Sequence, residues 1–228
     1  KDSLLNSFSL KAVSLAHLLL GGALIIGMVT IPLMANTSMA LTPLEGGLWL
    51  MRLTVAIPVG AIIGGLLCRW FDYRIPSIIG FLLATIGYVL MSGWGISISD
   101  PILTTHLFVT GAGFGLLIAP VMLTATESVD ETRMGVAAGI VGAMMILGMT
   151  LGIAMIASWG SVRFQGLVSG IQIPITFSGL TSLEIQQQIA ELDSRITGAG
   201  MQLFGEFFVV AAGLCLLGLL PVLFMKRR

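Results

Sequence analysis

The 228 residues are 56% apolar and only 10% charged, with a mean hydropathy of +1.02. A water-soluble domain carries charge at ~25% of its positions, so this chain has too little polar surface to face water and is a membrane protein. Eleven basic residues balance eleven acidic ones, which removes the electrostatic basis for a nucleic-acid partner and leaves the lipid bilayer as the surrounding medium.

A helix needs ~20 mostly apolar residues to cross the hydrocarbon. The apolar runs here are long and continuous, so helices are expected rather than a barrel. Six spans are predicted at roughly 10–35, 46–68, 75–96, 103–125, 135–159 and 201–225. The fold class is therefore all-α integral membrane, a single six-helix domain over 1–228 with both termini on one side. An outer loop is expected over 160–200. Within it, Thr181, Ser182, Leu183 and Glu184 have capping-box spacing, Ile185, Ile189, Leu192 and Ile196 recur at helical intervals, and Gly198 stands where a helix would stop. That predicts a short amphipathic helix at 182–197, lying on the membrane surface, capping the bundle or gripping substrate as a lid. The first residue is Lys1 with no cleavable leader pattern, which is the expectation for a processed or excised chain.

Orientation follows from the basic residues. Lys1, Lys11, Arg69, Arg74, Arg133, Lys226, Arg227 and Arg228 fall on the terminal side, against Arg163 and Arg195 opposite. The positive-inside rule then places both termini in the cytoplasm of a cell (plasma or inner) membrane. Cys68 and Cys215 sit in or against apolar runs without metal-binding spacing, so both are expected as small buried hydrophobes, with no metal site and no cofactor.

Small residues repeat at helical spacing: Gly60 with Gly64, Gly111 with Gly115 and Ala119, Gly135 with Gly139, and Gly148 with Gly152. Such rows let backbones approach closely where lipid supplies no hydrophobic drive, so spans two and four, or four and five, are expected in close contact. Three ionisable residues are candidates inside the membrane, where a charge costs at least ~2.5 kcal/mol. Arg52 and Glu206 share a calculated depth of about 9 and 8 Å from the outer ends of spans two and six. They form an ion pair or water-mediated link, or each snorkels to the interface. His17 in span one is either a proton site or a packing histidine, and His106 is expected at the interface. Glu127, Asp130 and Glu131 read as a solvated turn. No catalytic motif is present, and an enzyme is not expected.

Three joints carry a family resemblance. Thr42-Pro43-Leu44-Glu45-Gly46-Gly47-Leu48 resembles the Ser-Pro-Leu-Gln-Ala-Gly-Leu segment that opens a helix in the C-terminal half of the fourteen-helix drug:proton antiporters. Gly64-Gly65-Leu66-Leu67-Cys68-Arg69-Trp70-Phe71-Asp72-Tyr73-Arg74 is similar to the major facilitator signature Gly-x-Leu-x-Asp-Arg-x-Gly-Arg-Arg, with Cys68 in place of the acid and Phe71 in place of the glycine. The run from Val129 through Arg133 and Gly135 to Gly139 resembles the branch's Pro-x-x-x-x-Gly-x-Ala-x-Gly opening of its penultimate helix.

The resemblance implies one half of the major facilitator fold, completed by an N-terminal six-helix half, upstream in the same chain or a separate subunit. It further implies spans one, two, four and five along the transport path, three and six outside, and a proton-coupled exporter of hydrophobic or amphipathic compounds, drug or lipid. The substituted signature leaves a second reading, a transport-inactive membrane subunit or scaffold of a larger membrane complex. The expected topology is checked by single cysteines: one placed at Ser178 reacts with an impermeant reagent added outside and one placed at Asp130 does not, whereas the reverse pattern inverts the layout.

Overall fold

In a computed structural model, which describes residues 8–171 and 181–224, the described residues contain six helices long and apolar enough to cross a membrane. They are α1 (Phe8–Thr37), α2 (Pro43–Trp70), α3 (Arg74–Ser92), α4 (Asp100–Glu127), α5 (Met134–Val168) and α6 (Ser182–Val222). Lys1, Lys226, Arg227, Arg228 and the loop residues 172–180 lie outside the described residues.

Two helix starts are fixed by local chemistry. The Thr42 backbone N–H donates to Glu45 Oε2 at 2.8 Å while the Glu45 N–H donates to Thr42 Oγ1 at 3.4 Å, and Pro43 takes the first helical position, where its missing N–H costs nothing. The same reciprocal box joins Thr181 and Glu184 at the start of α6.

Here the sequence expectation is corrected. The amphipathic segment 182–197 is not a separate helix but the first part of α6, which runs unbroken for 41 residues, while α5 continues past 159 to Val168 over 35 residues. Gly198 does not stop α6. One glycine costs a helix ~1 kcal/mol, too little to break a ladder with no proline near it. The change from amphipathic to fully apolar pattern is a change of surroundings, not of conformation. Residues 182–199 of α6 therefore project as an arm of about 27 Å.

The middle of the bundle is α1 and α4. Helix α2 lies along α4 and α5 along α1, while α3 packs on α4, α6 packs on α1, and α3 and α6 pack on each other. Glycine sets three of these seams. A Cβ on Gly111 would meet the Leu53 carbonyl oxygen, one on Gly115 the Ile57 carbonyl, one on Gly60 the Ala112 carbonyl, and one on Gly64 the Leu116 carbonyl at 2.7 Å, so α2 and α4 touch backbone to backbone. Gly21 and Gly148 bring α1 and α5 equally close, through the carbonyls of Met145 and Leu18. On its other side α4 presents Gly113 to α3, where Gly80 would carry a Cβ 2.8 Å from the Gly113 carbonyl.

The expected α2–α4 contact is thus present, but Gly148 and Gly152 meet α1 rather than α4. Gly135 and Gly139, with Gly142, have nothing within 4 Å, so this row packs against nothing within the described chain.

Away from the glycines the core is aromatic. Tyr88 is fully buried, and its hydroxyl donates to the Ala23 carbonyl at 2.6 Å beside Gly27. Its ring stacks on Phe208 and meets Phe114 edge-on, which ties α3 to α1, α6 and α4 together. Cys68 and Cys215 are buried in different helices, as expected of small hydrophobes. By contrast, α2 buries only Gly46, Leu53, Ala56, Gly60, Gly64 and Cys68, and α5 only Ala137, Val141, Gly148, Gly152 and Gly160. Their remaining apolar surface is uncovered, as Ile62 and Ile146 illustrate.

Gly115→Leu forces side-chain atoms into the Ile57 carbonyl and the Gly60 backbone, and overpacking of this kind costs ~1–3 kcal/mol. Its thermal unfolding midpoint in detergent is expected to fall clearly below that of the parent, while Gly213→Ala on α6, where an added Cβ meets nothing within 4 Å, leaves the midpoint unchanged.

Candidate functional site

The bundle has an arm end, where α1 and α3 finish and α2 and α4 begin, and a terminal end opposite.

At the arm end Arg52 reaches from α2 across to the first turn of α4. Its Nη1 donates to Asp100 Oδ1 at 2.6 Å and to Thr104 Oγ1 at 2.8 Å. The Arg52 side chain is 29% exposed and that of Asp100 68%, so the pair is wet on one side and ranks with surface ion pairs of about 0–1 kcal/mol. Of the alternatives open for Arg52 and Glu206, a direct pair between them is not formed. Asp100 was hidden because it precedes the apolar run at 103, and an arginine side chain on α2 slants back toward that helix's N-terminus, the end where Asp100 lies.

Glu206 has a different cation. Arg163 on α5 donates through Nε to Oε2 at 2.8 Å and through Nη2 to Oε1 at 2.6 Å, and Gln202 donates to Oε1 at 3.3 Å. A bidentate guanidinium–carboxylate pair fixes geometry as well as charge. It joins α5 to α6, two helices that otherwise touch little. The pair is shallower than the sequence spacing suggested. Gly205 lies against the Ser92 carbonyl at the end of α3, and Gly200 against Ser38 Oγ just past the end of α1. Glu206 therefore stands level with the ends of the neighbouring helices, because α6 begins long before residue 201.

His17 is 7% exposed on α1, and its Nδ1 has no hydrogen-bond partner among the described residues; one turn earlier, Ser14 Oγ is in the same condition. Buried polar atoms are normally hydrogen-bonded, so an unpartnered Nδ1 here stands out. His106, expected at the interface, accepts from Trp94 Nε1 through Nδ1 at 2.9 Å and stacks on that indole.

At the terminal end, Gly64 of the signature remnant packs on α4, a Cβ on Gly65 would lie 3.9 Å from the Ala119 methyl, Arg69 is exposed and Arg74 is half-buried. The joint is held by a contact the sequence did not reveal. Buried Tyr73 donates its hydroxyl to Glu127 Oε1 at 2.6 Å, tying the α2–α3 joint to the last turn of α4. Glu127 is thus a fixed acceptor rather than part of a solvated turn, and the signal available was a tyrosine in the joint between two apolar spans. Among the described residues no group of three or more His, Cys, Asp or Glu side chains is placed to hold a metal ion.

Between the ends of α1, α5 and α6 at the arm end lies a cavity of about 450 Å³, walled by Phe164, Phe204 and Phe207 and reached past Asp193 and Thr197 on the arm. Sequence reading missed it, because residue 160 was placed outside the membrane and the arm apart from α6.

No family model matches this chain. It is similar in sequence to curated membrane transporters. A triacylglyceride transporter of Mycolicibacterium hassiacum is 30% identical over 94% of this chain and 42% of its own length. One of Mycobacteroides abscessus is 34% identical over 80% of this chain and 37% of its own, and one of Mycolicibacterium smegmatis 27% identical over 93% and 40%. The chain spans about two fifths of the length of these relatives. They carry the names of transporters and not of enzymes, in agreement with the expectation that this chain is not an enzyme.

Proposed function

We propose that this chain is the C-terminal six-helix half of a secondary exporter of the major facilitator type, in the drug:proton antiporter branch, and that its cargo is an apolar lipid. The observation that carries the reading is the alignment of 94% of this chain with 42% of a triacylglyceride transporter. Relatives more than twice as long leave room for a second six-helix half.

The uncovered sides of α2 and α5 support the same reading. Gly135, Gly139 and Gly142 keep one stretch of α5 free of side chains and open. Small-residue rows suit helix–helix contact rather than lipid, so this stretch is where the N-terminal half packs. Helices α1, α2, α4 and α5 border the path and α3 and α6 stand behind, with both termini cytoplasmic in the plasma or inner membrane. Arg52, held by Asp100 and Thr104, lies at the outer mouth of the path. His17, whose Nδ1 is buried without a hydrogen-bond partner among the described residues, is this chain's candidate for the coupled proton, its charged form requiring an acceptor supplied by the second half. Glu206 and Arg163 brace the arm rather than contact cargo.

A second reading, a transport-inactive subunit or scaffold of a larger complex, is favoured by Cys68 and Phe71 at the signature positions. Transport decides between them. The protein, purified in the form the cell makes, is reconstituted into vesicles, and transfer of a labelled triacylglycerol is followed with and without a pH gradient. Gradient-dependent transfer is expected, with Arg52→Ala lowering the rate roughly tenfold, about 1.4 kcal/mol of barrier, and with little change in unfolding midpoint. Absence of transfer from the parent protein supports the scaffold reading, and an unchanged rate in Arg52→Ala removes Arg52 from the path.

A further inference from the structure

The cavity at the arm end does not belong to the face that α1, α2, α4 and α5 turn toward a second half. We propose that it is a separate binding site for one acyl chain of a neutral, ester-linked lipid, at the level where the helices leave the membrane; the choice of lipid class rests on the lipid-export reading above.

The cavity's chemistry selects the occupant. Its volume of about 450 Å³ falls among those of small-ligand sites, which span ~300–1,000 Å³. The walls are aromatic and aliphatic, and two hydroxyls that line it are already spent. Thr37 Oγ1 donates to the Leu33 carbonyl at 2.7 Å and Ser161 Oγ to the Ser158 carbonyl at 2.9 Å. Those walls therefore offer methylene contacts and no free donor, and a polar ligand would lose its hydration uncompensated. Ser38 and Thr197 add hydroxyls on the arm side, where ester oxygens would lie.

Charge excludes the anionic lipids. Asp193 is the one charged residue lining the cavity among the described residues. The nearest cation across the cavity, Arg163, is held by Glu206 in two hydrogen bonds, and Arg195 does not line it and pairs with Glu191 on the exposed side of the arm. A phosphate or carboxylate headgroup here would meet a carboxylate and find no free guanidinium.

Position fits a lipid rather than a soluble ligand. Gly200 lies beside Ser38 at the end of α1 and Gly205 beside Ser92 at the end of α3, so the cavity straddles the depth at which chain and headgroup part. The Arg163–Glu206 clamp fixes the spacing of α5 and α6 around it. From the cavity, Ile196, Leu192, Ile189 and Ile185 continue along the arm at helical intervals, an apolar track leading away from the membrane.

The test uses the protein in the form the cell makes, in phosphatidylcholine nanodiscs, with two probes bearing the same photoactivatable diazirine acyl chain: a triacylglycerol and a phosphatidylglycerol. Adducts are expected on peptides containing Phe164, Phe204 or Phe207, at least roughly fivefold more from the triacylglycerol, a preference of about 1 kcal/mol. Ala157→Trp, which fills the cavity, removes these adducts while those on the lipid-facing side of α3 around Ile86 persist and certify the fold. Asp193→Lys raises phosphatidylglycerol labelling to the triacylglycerol level.

Equal labelling by the two lipids in the parent, persistence of the cavity adducts in Ala157→Trp, or a protein segment cross-linked there in place of lipid overturns the proposal. Adducts as expected without reconstituted transport retain the site and overturn the export reading. Transport without adducts does the converse.

Discussion

Close backbone contact through glycine is the constraint on which this structure depends. Lipid tails are as apolar as leucine, so burial alone does not hold helices together in a membrane, and van der Waals contact at short range must do so. Helix α4 shows how far this goes. Gly111 and Gly115 seat it on α2 while Gly113 seats it on α3, so one helix is pinned on two sides. Gly21, Gly22, Gly148 and Gly152 do the same for α1 and α5. Because these seams consume the small residues of α1 and α4, the outward sides of α2 and α5 are left uncovered, and that asymmetry gives the bundle a packed back and an open front.

Much of this was legible in the sequence, for local reasons. Span positions follow from apolar run length, and the two capping boxes from Thr42 with Glu45 and Thr181 with Glu184. A glycine row states that a close contact exists but not with whom. Gly148 and Gly152 lie on α1, while Gly135 and Gly139, identical in spacing, meet no neighbouring helix among the described residues. The ion pairs were not legible for a related reason. Depth counted along separate helices left a link between Arg52 and Glu206 open, yet each has its ion-pair partner outside the apolar runs: Asp100 before the start of span four and Arg163 beyond the end of span five. The difference comes from equating the end of an apolar pattern with the end of a helix. Helices α5 and α6 continue well past that point, and the cavity between them exists only because they do.

The polar groups divide by task. Tyr73 with Glu127 and Arg163 with Glu206 are mutually satisfied and brace the two ends of the bundle. His17 is buried and unsatisfied, a condition a protein tolerates at a cost and usually for a reason. Arg52 lies between these cases, bonded to α4 yet partly open. A bundle with braced ends and glycine-tight seams suits the proposed function, in which each half of a transporter moves as a rigid body during alternating access.

The central claim is that the open front meets protein and the back meets lipid. It is tested most directly by placing a photoreactive phenylalanine analogue at Ile146 on α5 or at Ile86 on α3, both well exposed within this chain, and irradiating intact cells. The account predicts cross-links to polypeptide from position 146, within a longer chain or to a separate subunit, and adducts to lipid alone from position 86. Lipid adducts alone from both positions would contradict it.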